Sequence, residues 1–261
     1  MADFFAEKLK NQLETECFGK EIIYIDETDS TNALAKREKF RQSGTVFVAG
    51  KQTQGRGRSG RTWESADEIA LYMSLLLKPD LLPEKISSIT LVFGLAVLNA
   101  LKGYADVGIK WPNDIILNKK KISGIMCEMS GTAEKIDYVV CGVGVNVNND
   151  SFSKELGGIA TSLKLENGKS YEITEIAAEI LNEFELLYFE FIKNGLENIL
   201  NKYKDSCITL FKDVRVILNS EEIDAYALDI TPDGALLVKT KDGEKIIQSG
   251  EASIRGIIGY A

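Results

Sequence analysis

Two periodicities divide the chain. Phe5, Leu9 and Leu13 recur every fourth residue and predict an amphipathic helix over residues 2–16. Short alternating or continuous apolar runs predict strands at "EIIYIDET" (21–28), "TVFVAGKQ" (45–52) and "IALYMSLLLK" (69–78). Between the first two lies "DSTNALAKREKF", where several N-cap residues precede good helix formers. "PEKISSITLVFGLAVLNALKGY" (83–104) predicts a long, mostly buried helix with proline near its first turn. "VGIKWPNDIILNKKKISGIMCEMS" (107–130) predicts a strand, a break at Pro112 and a hairpin turning at "NKKK". A further strand at "KIDYVVCGVGVNVN" (135–148) and a helix at "TEIAAEILNEFELLYFEFIKNG" (174–195) follow.

From about Lys212 the pattern changes. "VRVIL", "EIDAYALDI", "GALLVKT", "EKIIQSG" and "EASIRGI" read as five short strands, with turns at "PDG" and "KDG". Strands this short and evenly spaced predict a small barrel. They divide the chain into residues 1–208 and 209–261.

Composition narrows the chemistry. The 261 residues contain no histidine, which removes histidine-based triads and metal sites. The four cysteines are scattered without metal-ligand spacing and read as reduced thiols of a cytoplasmic protein. No apolar run approaches the roughly 20 residues that span a bilayer, so no membrane role is expected. The acid-bearing start does not resemble a signal peptide. The net charge of -8 argues against a protein that grips nucleic-acid backbone.

Against that charge, Lys39 to Trp63 carries six basic residues (Lys39, Arg41, Lys51, Arg56, Arg58, Arg61) and no acid. A solvated basic loop would explain this. The coincidence with Gly55, Gly57 and Gly60 favours a site for a small anion. These glycines spell the GxGxxG of a dinucleotide-binding turn, but "RTWES" and a strand follow them where that turn opens a helix. Arginine forks bind phosphate oxygens bidentately, and Arg56 and Arg58 share a side if the loop is extended. Lys110 in "KWPND" ends an apolar strand and either snorkels to solvent or faces a pocket. The alternating glycines of "GVGVNVN" (142–148) fit the close approach of a ligand, or plain sheet packing.

In their order and spacing, "DSTN" (29–32), "QTQGRGRSGRTW" (52–63), "KWPNDIIL" (110–117), "KISGIMCE" (121–128) and "GVGVNVN" resemble the biotin protein ligases, and the tail "DGALLVKT…SGEASIR" resembles their C-terminal domain. The resemblance implies an α+β fold: a mixed β-sheet flanked by helices, like that of class II aminoacyl-tRNA synthetases, with a small C-terminal SH3-like β-barrel. It implies an enzyme that makes biotinyl-5′-adenylate from biotin and ATP with Mg2+, then transfers biotin to one lysine of a biotin carboxyl carrier domain of a carboxylase. Ser30, Thr31, Asn32, Gln52, Arg56, Gly57, Arg58, Lys110, Gly142 and Gly144 are then expected around biotin. Arg58, Arg61, Trp63, Lys110, Asn113 and Asn146 are expected around the nucleotide. Lys110 and Arg58 are the expected catalytic pair, since joining a carboxylate to a phosphate is largely an electrostatic problem.

Some members of that family carry an N-terminal DNA-binding domain. The short segment before "DSTN" predicts a monofunctional ligase that binds no nucleic acid. The metal ligands, a homodimer and the base for lysine transfer stay open; Asp114 is available as a base or as a turn residue. The nearest alternative is a lipoate–protein ligase, and a simple binding module and a DNA-binding repressor are the others.

Overall fold

The structure, a computed structural model, describes residues 2–65, 69–218, 221–249 and 252–256. Helix α1 (Ala2–Gln12) leads to strand β1 (Ile22–Thr28), helix α2 (Thr31–Arg37), strands β2 (Thr45–Gln52) and β3 (Leu71–Leu77), and helix α3 (Ile86–Lys102). Strands β4 (Val107–Lys110), β5 (Asp114–Leu117), β6 (Lys120–Gly131) and β7 (Ile136–Val145) follow, then helices α4 (Leu163–Asn167), α5 (Ile173–Asn194) and α6 (Glu197–Asp205). Strands β8 (Asp213–Leu218), β9 (Glu221–Ile230), β10 (Leu236–Thr240), β11 (Gly243–Ile247) and β12 (Ala252–Gly256) complete the described elements.

The first seven strands form one mixed sheet in the order β1-β2-β3-β7-β6-β5-β4. Strands β1 and β2 run parallel, and the other neighbours run antiparallel. The last five form an antiparallel sheet in the order β11-β10-β9-β8-β12, the SH3-like part of the α+β fold. The β5–β6 hairpin turns on Asn118 and Lys119, whose φ values of 48° and 65° are both positive, as a two-residue type I′ turn requires.

Period-two patterning places the two cores. Along β2, Val46 and Val48 face a large core with Leu9 and much of α3 and α5, while Phe47 faces the other way. That opposite face is covered only in part. The seven-residue α2 lays Leu34 and Ala35 on Phe47, Leu76 and Val140, and it is too short to reach across the sheet. Beyond it, the α2-side face of β3, β7 and β6 is left as the floor of a site. The large core continues into the second sheet through Val214, Val216, Ala227, Leu236 and Val238.

Three expectations change. The first helix ends at Gln12 instead of residue 16, because buried Glu185 of α5 accepts the backbone N–H groups of Glu16, Cys17 and Phe18 and draws this stretch into a turn. The short helices α4 and α6 were not anticipated. The segment Pro83–Lys102 is long and apolar enough to cross a membrane, contrary to the sequence reading, but most of it is buried in the large core.

Candidate active site

The site begins at the N-terminus of α2. Ser30 caps the helix, its Oγ accepting the Ala33 N–H at 3.1 Å. Asp29 is gripped from both oxygens by Arg37 at 2.7 and 2.8 Å, which holds its carboxyl well below the usual carboxylate range. The parallel register pairs Thr28 with Gln52, so the Gln52 side chain meets the start of α2. Gln52 Oε1 accepts the Thr31 N–H at 2.9 Å, and Gln52 Nε2 lies 3.3 Å from Ser65 Oγ.

Ser74 lies at the centre of this arrangement. It is the one polar residue of β3, fully buried, with Oγ 2.7 Å from Thr31 Oγ1 and 2.6 Å from Asn32 Oδ1. Asn32 Nδ2 donates to Met126 C=O at 3.2 Å and to Glu128 Oε2 at 2.8 Å. Gly142 makes room for Asn32, since a Cβ there would stand 2.0 Å from Asn32 Oδ1. A cavity of about 60 Å³ is bounded by these groups together with Arg56, Gly57, Arg58 and Gly144. On the side of α2 its polar wall is built of side-chain amides and hydroxyls and is directional. Both partners of Asn32 Nδ2 can only accept, so Oδ1 is left as an acceptor; Gln52 Oε1 accepts from Thr31, so its Nε2 is left as a donor.

The arginine loop is not extended. Gly57 N–H donates to Arg61 C=O at 2.7 Å and Trp63 N–H to Gly55 C=O at 2.9 Å, closing a small hairpin with a helical turn at Arg58–Gly60. This separates the two arginines: Arg56 is exposed, whereas Arg58 turns inward and donates to Asn113 Oδ1 at 2.9 Å. A strand follows, so the dinucleotide-binding turn is excluded. Trp63 lies flat on the floor. A Cβ on Gly144 would approach its ring to 2.7 Å, and Lys121 Nζ stands 5.3 Å from the ring centroid. The indole N–H is buried without a hydrogen-bond partner.

A second cavity of about 250 Å³ adjoins the first and shares Gly57, Arg58, Trp63, Asn113 and Lys121 with it. Its cations are Arg58, Arg61, Lys110, Lys121 and Arg255, and Phe152, Leu156 and Ile159 form an apolar wall. Lys110 is only 5% exposed, which resolves the sequence alternatives in favour of a pocket. Burial pushes its pKa down to about 8; Lys121, Arg255 and Arg61 add to this, and Asp114, its cross-strand neighbour, opposes it. Burial also lowers the Arg58 pKa from its ordinary value. Asp114 is ion-paired with Lys121 at 2.6 Å. Lys110 is buried among these cations, Arg58 and Lys121 are half-buried, and Arg61 and Arg255 are exposed at the rim.

Every sequence-predicted residue lines one cavity or the other. Ser30, Thr31, Asn32, Gln52, Arg56, Gly142 and Gly144 border the smaller one, while Arg61, Lys110 and Asn146 border the larger.

Known proteins share this layout. Residues 24–146 match the biotin/lipoate A/B protein ligase family, and residues 209–255 match the biotin protein ligase C-terminal domain. The bifunctional ligase/repressor BirA of Bacillus subtilis is 34% identical over 93% of this chain and 76% of its own. The chain belongs to the biotin protein ligase family. Another relative, the biotin–[acetyl-CoA-carboxylase] ligase of Mycobacterium tuberculosis, is 28% identical over 89% of this chain and 88% of its own. The biotin protein ligase of Aquifex aeolicus, solved with biotin and ATP, superposes with a TM-score of 0.79 at 32% identity, covering 91% of this chain and 99% of that one.

In this ligase the sequence reading missed Ser74, Lys121, Glu128 and Arg255. Ser74 carried a signal, a small polar residue among the large side chains of "LYMSLLL". Lys121 was hidden in the lysine run of a hairpin turn. Arg255 comes from β12, and only the docking of the second sheet places it beside Lys110. Asn146 is tied into the scaffold, its amide donating to Thr161 C=O at 3.0 Å.

Proposed function

We propose that the protein joins biotin to ATP as biotinyl-5′-adenylate, releasing pyrophosphate, and transfers the biotin to one lysine of a carboxylase carrier domain. The observation that carries this reading is the pair of adjoining cavities, one with a wall of side-chain amides and hydroxyls and one with Lys110 and other cations, with Arg58 at their junction. A cyclic urea offers N–H donors and a carbonyl acceptor, matching the acceptor of Asn32 and the donor of Gln52. The dithiolane of lipoate has neither group, which supports biotin over lipoate.

With the ring seated there, the valerate carboxylate reaches the junction. Lys110 and Arg58 then stabilise the charge that develops as the carboxylate attacks the α-phosphate and pyrophosphate departs. Arg61, Lys121 and Arg255 surround the remaining phosphates, and Trp63 with the apolar wall accommodates the base. Arg56 and Gly57 cover the acyl end, while Gly142 and Gly144 give the ring its flat wall. The arginine hairpin shields the mixed anhydride from water until the carrier lysine arrives.

Magnesium belongs to this reading, supplied on the nucleotide. No group of three acidic or thiol side chains converges among the described residues, and Glu64 and Asp114 are the carboxylates lining the larger cavity. When bound, the ion neutralises phosphate charge. Asp114 is already paired to Lys121, so we assign it to the hairpin and not to proton removal from the carrier lysine. We place the domain division at 208/209, just before β8. The net charge of -8 supports a role without nucleic acid, and the four free cysteines support the cytoplasm.

Mixing the protein with ATP, Mg2+ and either biotin or lipoate, without carrier, tests the proposal by mass spectrometry of the bound small molecule. Biotinyl-adenylate is expected with biotin alone. Lipoyl-adenylate would reassign the substrate, and no adenylate would overturn the reaction.

A further inference from the structure

We infer that Glu128 is a positioning residue: with Lys36 it holds the Asn32 side-chain amide in one of its two orientations and so sets the hydrogen-bond polarity of the ring pocket. The inference rests on the proposed seating of the urea ring against Asn32.

An asparagine amide turned by half a rotation keeps its shape and inverts its donors and acceptors. Which face it shows a ligand is decided by its other neighbours. Here those are Glu128 Oε2 at 2.8 Å and Met126 C=O at 3.2 Å, both reached by Nδ2. A carboxylate and a carbonyl offer no proton. Reversal would set Oδ1 against two acceptors and turn the N–H groups toward Ser74 and the ligand. The bond to Glu128 is the shorter and is charge-assisted, so Glu128 supplies the stronger part of the bias.

The carboxylate is itself held from behind. Lys36 Nζ contacts its other oxygen, Oε1, at 2.5 Å, so each oxygen has its own partner. Both side chains retain solvent exposure, 35% for Lys36 and 21% for Glu128, so the ion pair adds little as attraction. Its effect is directional. Glu128 stands two residues beyond Met126 on β6, and the Glu128 side chain and the Met126 backbone carbonyl meet the same Asn32 amide nitrogen. Glu128 closes the "KISGIMCE" segment and does not border either cavity; it acts on the ligand only through Asn32.

The test is steady-state pyrophosphate release by the full chain, with biotin and ATP varied separately. Glu128→Leu is expected to raise KM for biotin roughly tenfold, equivalent to about 1.4 kcal/mol, while kcat and KM for ATP change by less than about twofold. Glu128→Gln is expected to recover most of the loss, because its amide oxygen still accepts from Nδ2. Lys36→Met is expected to cost about two- to threefold. Asn32→Ala should raise KM for biotin at least as much as Glu128→Leu, and combining the two should add little.

A normal biotin KM in Glu128→Leu, with Asn32→Ala impaired, would overturn the inference and leave the seating of the ring intact. Equal losses in kcat and in both KM values, unrelieved by Glu128→Gln, would make Glu128 a scaffold residue and also overturn it. A normal biotin KM in Asn32→Ala would instead remove the ring seating itself.

Discussion

The two adjoining cavities are built on opposite principles. In the smaller, the amides and hydroxyls of one wall are already bound to their neighbours: Gln52 to Thr31, Ser74 to Thr31 and Asn32, Asn32 to Met126 and Glu128. In the larger, five cations face one another with Asp114 and Glu64 as lining carboxylates, and burial lowers the pKa values of Lys110 and Arg58. The first is organised before its ligand arrives. In the proposed reading the second is completed by its ligand, since bound phosphates would face the cations that line it. One sheet thus carries a wall of hydrogen-bonded dipoles beside a cluster of cations.

Removing charge from the larger cavity should have the largest effect. Lys110→Ala is expected to lower adenylate formation about 10²- to 10³-fold in single-turnover assays. Biotin affinity measured by calorimetry should fall far less, below about tenfold. Equal losses would mean that the cavities are one functional unit. Arg58→Gly, at the junction, should release the adenylate roughly tenfold faster and label bystander lysines. Labelling confined to the carrier would place the barrier to escape elsewhere.

Smaller effects separate the cavities further. Ser74→Ala removes a buried hydroxyl that donates to Asn32 Oδ1 and contacts the Thr31 hydroxyl, and it should raise KM for biotin about fivefold, near 1 kcal/mol, with the ATP dependence unchanged. The pH dependence has a definite sign. Lys110 is charged below its pKa of about 8 and loses its charge as pH rises, so adenylate formation under subsaturating ATP should decline above about 8. Lys110→Arg, if active, should carry that limb to higher pH. Because the pKa is lowered by folding, the stability cost of burying this lysine is full below about 8 and disappears as pH rises past 10.5. Lys110→Met should therefore stabilise the unliganded protein at neutral pH, seen as a higher Tm.

Much of this was legible in the sequence. Alternation along "TVFVAGKQ", the caps of "DSTN" and the turn at "NKKK" are local signals, and the corresponding elements form where those signals lie. The arginine loop was read correctly as something other than a dinucleotide turn because the residues after it make a strand. Its fold was not legible: the Arg58 side chain turns inward onto Asn113, 55 residues away. The Glu128 bond to Asn32 spans 96 residues and follows from strand order alone. Helix α6 was missed because it is short and largely charged, and it is held by Tyr203, whose hydroxyl donates to Pro112 C=O at 3.0 Å.

Trp111, next to Lys110, donates its backbone N–H to Thr209 Oγ1 at 3.0 Å and its indole N–H to Gly234 C=O at 3.1 Å. Both acceptors belong to the C-terminal part of the chain. The loop that carries Lys110 and Asn113 is therefore tethered to a region that many dissections would treat as an appendage. Exchanging that region between relatives would transplant part of the mounting of Lys110 with it. A working chimera has to move Thr209, the turn at Gly234 and the partner tryptophan as a matched set.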